Sequence, residues 1–107
     1  MKKKYYCSLH LTVDLIGNKW KTLLLFHLLD GPKRSGVLQK TVDGISNKMF
    51  TQTMKELETA RLITRTVHPA VPPNVVYALT ARGRSLEHIL KAMDDWGKDL
   101  MSEEEYG

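Results

Sequence analysis

The residues best equipped for chemistry lie close together between positions 46 and 55. The run Ser46-Asn47-Lys48-Met49-Phe50-Thr51-Gln52-Thr53-Met54-Lys55 interleaves amide, hydroxyl and ammonium groups with apolar ones. On a helix turning about 100° per residue, Thr51, Gln52 and Lys55 fall within about 60° of Lys48. Phe50, Met54 and Leu57 fall near the opposite pole. One side is therefore a row of donors and acceptors with Ser46 and Asn47 at its tip, and the other side is core. Glu56 and Glu58 lie toward the flanks, which leaves the row short of carboxylates. Amide and basic side chains read base edges in a major groove, while hydroxyls and helix-end amides hold phosphates. An ordinary solvated helix face has a similar alternation, so the surrounding elements must decide.

Those elements fit a nucleic-acid reader. A short helix is predicted over about Arg34 to Thr41, with Val37 and Leu38 facing inward. Asp43-Gly44 is a turn signal, and Ser46 is a good N-cap for a helix over about Asn47 to Ala60. Two short helices joined by a tight turn that contains glycine form a helix-turn-helix. The period then changes. Leu62 to Val67 alternates and is β-branched, and Val75 to Leu79 is a second strand. Between them the proline-rich segment 69–74 cannot form a ladder. Two strands joined by a protruding loop after a helix-turn-helix make a wing.

Upstream, Leu9 to Leu15 reads as a helix capped by Ser8. A second runs from about Asn18 to Leu29, with Trp20, Leu23, Leu24, His27 and Leu28 on its apolar face. Gly31 and Pro32 stop it. Downstream, Thr80 caps a last helix over about Ala81 to Met101. Eighteen residues of it would be about 27 Å long. Leu86, Ile89, Leu90, Met93, Trp96 and Leu100 form one stripe along it. That is more apolar surface than a small domain needs internally, so the stripe is expected to meet Leu9, Val13 and Ile16 of a second copy. The expected fold is α+β, mainly α: a winged helix-turn-helix flanked by N- and C-terminal dimerisation helices. It is one domain over 1–107, with the helix-turn-helix at 34–60, the wing at 61–80 and the dimerisation helix at 81–101.

Charge points the same way. Residues 1–84 carry 14 basic and 5 acidic side chains, and residues 85–107 carry 2 basic and 7 acidic. A basic body suits a polyanion. Lys33 and Arg34 at the start of the helix before the turn, Arg65 and His68 on the strand leading into the wing, and Asn74 in the wing loop are candidate backbone contacts. Lys19 and Lys21 are expected on the flank, and the acidic tail around 103–105 is expected to point away from DNA.

Other classes fall away. No apolar run is long enough to span a bilayer, and no apolar segment follows the charged start as in a secretory signal. One cysteine allows no internal disulfide framework and fits a cytoplasmic location. Cys7 and His10 have a metal-like gap, but a structural zinc site needs about four ligands, and His27, His68 and His88 are scattered. No phosphate loop follows a strand, and Asp94-Asp95 diverge on a helix. The expectation is therefore no catalytic residue, no metal and no cofactor.

The chain resembles the HxlR-type transcriptional regulators, a branch close to the MarR-like winged helices. The matching pieces are Cys7, Asp14-Leu15-Ile16-Gly17-Asn18-Lys19-Trp20, Gly31-Pro32-Lys33-Arg34 and Gly44-Ile45-Ser46-Asn47-Lys48-Met49-Phe50-Thr51. They continue with Leu57-Glu58, Val71-Pro72-Pro73-Asn74-Val75, Tyr77-Ala78-Leu79-Thr80, Gly83 and Trp96-Gly97. The resemblance implies a homodimer, formed through the first and last helices, that binds a pseudo-palindromic operator as repressor or activator. In some members the N-terminal cysteine senses small electrophiles or oxidants. Here Cys7 precedes Ser8 where the family often has Pro. Ser35 and Val37 stand where Phe and Glu are common, and Val76 stands where Glu is common.

Cys7 is the candidate redox sensor. A thiol at a helix start meets the positive end of the dipole, which favours the reactive thiolate. Oxidation would give an intersubunit or mixed disulfide, and an electrophile would alkylate it. The other reading is a small apolar residue packing beside the dimer helices. For the whole chain the alternative to a DNA-binding regulator is a winged-helix scaffold that binds protein alone.

Overall fold

Gly17 and Asn18 separate two helices, α1 (Ser8–Ile16) and α2 (Lys19–His27), each for a local reason. A Cβ at Gly17 would overlap the carbonyl oxygen of Val13, so only glycine closes α1 this tightly. The Asn18 side chain accepts from the Lys21 N–H at 2.8 Å and satisfies one orphan donor of the first turn. The expected Ser8 cap is displaced by one residue. Cys7 holds the N-cap position with extended backbone and no side-chain cap bond. Helical pairing has already begun at Cys7, whose carbonyl accepts from the Leu11 N–H at 3.4 Å. The computed structural model describes residues 4–103 and 106, so part of the expected acidic tail, 104 and 105, lies outside the described residues.

After α2 the chain does not enter the next helix directly. Gly31, at φ 131°, turns it into extended backbone. There β1 (Lys33–Arg34) pairs antiparallel with a later strand. Lys33 and Arg34 therefore precede the helix instead of starting it, and Arg34 is the N-cap of α3 (Ser35–Lys40). In so short a helix one side is covered, and Leu38 takes it. Val37, expected inside, is 55% exposed.

Helix α4 (Asn47–Thr59) starts as expected: the Ser46 hydroxyl accepts from the Met49 N–H at 3.0 Å. Its end is unusual. Arg61 takes φ 61°, and the next two N–H groups fold back. Arg61 N–H donates to Glu58 O at 2.9 Å and Leu62 N–H to Leu57 O at 3.0 Å. That is a Schellman closure with arginine where glycine is usual.

Strands β2 (Ile63–His68) and β3 (Asn74–Leu79) complete a three-stranded antiparallel sheet in the order β1-β3-β2. Arg65 faces Tyr77 across the ladder, and His68 faces Asn74 at the base of the exposed wing loop, 69–73. The expected last helix is two helices, α5 (Ala81–Arg84) and α6 (Glu87–Met101). Thr80 caps α5 by accepting from Gly83 N–H at 3.0 Å. Ser85 and Leu86 then close with tighter, three-residue bonds, which redirects the chain. α6 alone is about 22 Å long.

The core joins these pieces. Leu24, Leu25, Leu28, Leu38, Met54, Leu57 and Ile63 are fully covered, and Phe50 meets Tyr77 edge-on at 6.1 Å between ring centroids. The result is a mainly helical winged helix-turn-helix. Among the described residues no helix is long and apolar enough to cross a membrane.

Candidate nucleic-acid interface

The apolar pole of α4 fixes its orientation. Phe50, Met54 and Leu57 are buried, together with Thr53, a polar residue the sequence reading left unassigned. Turning that pole inward puts Asn47, Lys48, Thr51, Gln52 and Lys55 on one open, shallow groove, and all five are exposed. The row read from the sequence is therefore a continuous surface.

A second groove, of about 520 Å³, lies between α3, α4 and the sheet. Phe50 and Tyr77 line it, with Gln39, Asn47, Thr51, Lys55, Glu58 and Arg65 around them. Arg65 thus joins Lys55 beside the basic row. Arg34, Lys40 and Asn74 share a third depression at the flank of the wing. Lys40 was not singled out from the sequence. Its only signal was a charge at the end of a very short helix.

Lys33 does not join this surface. Adjacent strand residues point to opposite faces, so Lys33 and Arg34 diverge, and the register puts Lys33 on the face of Tyr77 and Arg65, where it is covered. The Lys33 side chain is 19% exposed, and its ammonium lies 3.8 Å from an Asp30 carboxylate oxygen. His68 sits at the root of the wing, away from the α4 grooves. Lys21 is not a free flank charge either. Its Nζ lies 3.3 Å from Glu56 Oε2 and donates to the Asp14 carbonyl at 3.4 Å. Lys19 Nζ rests 4.6 Å from the centroid of the Trp20 ring.

Two amides on α4 are already engaged. Gln39 Nε2 donates to Asn47 Oδ1 at 2.6 Å, tying α3 to the start of α4. Gln52 Nε2 donates to Glu56 Oε1 at 3.5 Å. Neither partner was anticipated, because contacts across the turn and along the helix flank leave no compositional signal.

The residues expected at a dimer interface separate into three groups. Leu9, Val13, Met93 and Trp96 are open to solvent, with Trp96 71% exposed. Leu86, Ile89 and Leu100 are half-buried. Ile16 and Leu90 are buried at 5% and 2%, in the chain's own core, so they back the exposed faces instead of forming them. The reason is that α1 and α6 each pack one edge on α2.

Cys7 is exposed and free. Its neighbours form a small aromatic cluster: Tyr6 stacks on His10 at 5.4 Å and Tyr5 meets the same ring edge-on at 4.9 Å. The Tyr5 hydroxyl donates to Asp14 Oδ2 at 2.8 Å, and this bond holds its phenol above the ordinary range. Among the described residues no three His, Cys, Asp or Glu side chains are grouped to hold a metal.

Residues 15–105 match the family described as HxlR-like helix-turn-helix. The HTH-type transcriptional regulator YkvN of Bacillus subtilis (strain 168), itself uncharacterised, is 41% identical over 104 residues, 97% of this chain and 87% of that protein. The oxidised form of the redox regulator HypR superposes with a TM-score of 0.83 at 40% identity, covering 87% of this chain and 96% of that one. The reduced form of the transcriptional regulator YodB from B. subtilis superposes at 0.73 with 33% identity, covering 87% and 91%.

Proposed function

The chain belongs to the HxlR-like helix-turn-helix family of transcriptional regulators, and we propose that it acts as a homodimer on a pseudo-palindromic operator. The observation that carries this reading is the continuous open groove formed by Asn47, Lys48, Thr51, Gln52 and Lys55 on α4. In this reading α4 enters the major groove, where Lys48 and Gln52 contact base edges. Ser46, Asn47 and Thr51 hold phosphates. Arg65, Lys55 and, on the wing flank, Arg34 and Asn74 supply the sequence-blind attraction.

The two-fold places half-sites about 34–36 Å apart, one helical turn, or a multiple of it. Leu9 and Val13 on α1 with Met93 and Trp96 on α6 form the two-fold interface, backed by Leu86, Ile89 and Leu100. Burying these groups supplies the apolar area that a chain this small gains from a partner copy.

Cys7 is the proposed point of regulation by an oxidant or electrophile. Its exposure and the likeness of the chain to the redox regulator HypR support this. One experiment tests the whole reading. The full chain is titrated by anisotropy against duplex DNA from its own upstream region, reduced and then diamide-treated, at two salt concentrations. Tight binding that weakens steeply with salt is expected, and it should be lost on oxidation in wild type but kept in Cys7→Ser. Salt-indifferent binding or none would favour a protein-binding scaffold. Equal loss in both proteins would remove Cys7 from the mechanism.

A further inference from the structure

The amide of Gln52 has one of its two N–H donors engaged within α4. Glu56 lies one turn further along α4, and its two carboxylate oxygens divide their work. Oε2 takes the Lys21 ammonium of α2 at 3.3 Å, and Oε1 accepts from Gln52 Nε2 at 3.5 Å. Lys21 is anchored in turn by the Asp14 carbonyl at the end of α1, and its side chain is only 15% exposed. The carboxylate is thus braced from behind and orients the glutamine in front of it through one long bond.

That bond leaves a defined remainder. A primary amide has two N–H donors and one carbonyl oxygen. Glu56 uses one donor, so Gln52 can offer one N–H and its oxygen side by side. In the major groove only adenine presents the matching pair, an acceptor at N7 beside a donor at N6. Guanine presents two acceptors and would need the donor that Glu56 has taken. Cytosine and thymine could engage one half of the amide at most. Asn47 is biased the other way. Gln39 occupies its oxygen at 2.6 Å, which leaves two donors suited to a phosphate or to guanine.

We propose that Gln52 reads an adenine in each operator half-site, with Glu56, braced by Lys21, as the residue that positions it. This rests on the reading of α4 as the major-groove helix. It goes further by assigning a base to a residue and a specificity role to a carboxylate that faces DNA phosphates unfavourably. The carboxylate costs affinity through like-charge repulsion and returns selectivity.

The test is selection of sites from a random duplex library by the full chain and by Gln52→Ala, Glu56→Ala and Glu56→Gln, each checked for unchanged helix content. Wild type should enrich half-sites with a fixed adenine. Replacing that adenine by 7-deazaadenine, which removes the N7 bond and keeps the N6 one, should weaken wild-type binding up to about tenfold, the lower end of the range for a bidentate contact, and leave Gln52→Ala unaffected. Glu56→Ala should bind random DNA more tightly while losing preference at that position alone. Glu56→Gln keeps an acceptor for the Gln52 amide and should keep the preference. A merely structural role for Glu56 would not separate these two variants. Enrichment in which Gln52→Ala leaves every base preference intact, or in which Gln52 controls a base other than adenine, overturns this assignment alone. No enrichment by wild type overturns the DNA reading and the assignment with it.

Discussion

Arg82 in α5 donates from Nη1 to the carbonyl of Ala60 at 3.0 Å, across 22 residues of chain. Ala60 is the C-cap of α4, so this contact closes the far end of the helix that carries the proposed reading face. Thr80 adds a second bond there, its hydroxyl donating to the Arg61 carbonyl at 2.6 Å. Helix C-termini leave carbonyls without partners, and a guanidinium suits their negative end. Arg82→Ala should therefore lower stability by about 1 kcal/mol, the modest figure reflecting an exposed bond. Urea unfolding followed by circular dichroism would measure it. A change below about 0.3 kcal/mol would mean that water replaces the arginine.

The same corner contains the chain's least replaceable glycine. Gly83 is buried, and a Cβ there would overlap the carbonyl oxygen of Leu62. That carbonyl already accepts from Thr80 N–H at 3.1 Å, so it cannot retreat without breaking the turn. Gly83→Ala should cost about 2–3 kcal/mol through overpacking. Gly36 in α3 is the control: its φ is ordinary and nothing lies within 4 Å of an added Cβ. Gly36→Ala should be neutral or stabilising by up to about 1 kcal/mol. The two denaturation midpoints should move in opposite directions or the second should stay still.

The sequence carried most of this architecture where one residue's chemistry sufficed. Ser46 and Thr80 were readable as caps because a hydroxyl before an apolar-periodic run has one strong use. The polar and buried poles of α4 followed from its period. Features that depend on partners distant in sequence were not readable. β1 is two residues long and exists only because β3 lies beside it. The αL position after α4 is held by Arg61, and arginine gives no sign of it. The split between α5 and α6 falls at three-residue bonds made by Ser85 and Leu86, with no helix-breaking residue to mark it. On the proposed site, Lys21 looked like a free cation until Glu56 was placed beside it, and Lys33 looked like the neighbour of Arg34 until the strand turned them apart.

Dimerisation gives a prediction independent of DNA. Trp96 and Met93 stand open on α6, as do Leu9 and Val13 on α1. Because Trp96 contributes little to its own core, Trp96→Asp should leave the helix content of the chain unchanged. It should weaken self-association by about 2 kcal/mol or more, the usual weight of a buried aromatic at an interface centre. Sedimentation of wild type at micromolar concentration should give a dimer and the variant a monomer. If both sediment alike, the two-fold runs through another face. Leu90→Ala would not make this distinction, since it opens a cavity in the protomer itself.

Electrostatics should distinguish two basic residues that look alike in sequence, Arg65 and Lys33. Arg65 lines the groove beside Lys55, whereas Lys33 is largely covered and faces Asp30 at 3.8 Å. A side chain that neutralises a phosphate releases about one counterion, so its loss lowers the slope of log affinity against log salt by about 1. Arg65→Ala should show that drop, with weaker binding at every salt concentration and an unchanged order of preference among sequences. Lys33→Ala should leave the slope where it is. Its coverage and its Asp30 partner leave it no phosphate to neutralise, and that small ion pair affects folding by well under about 1 kcal/mol. A slope change in Lys33→Ala equal to that in Arg65→Ala would place β1 on the DNA, with Lys33 released from Asp30.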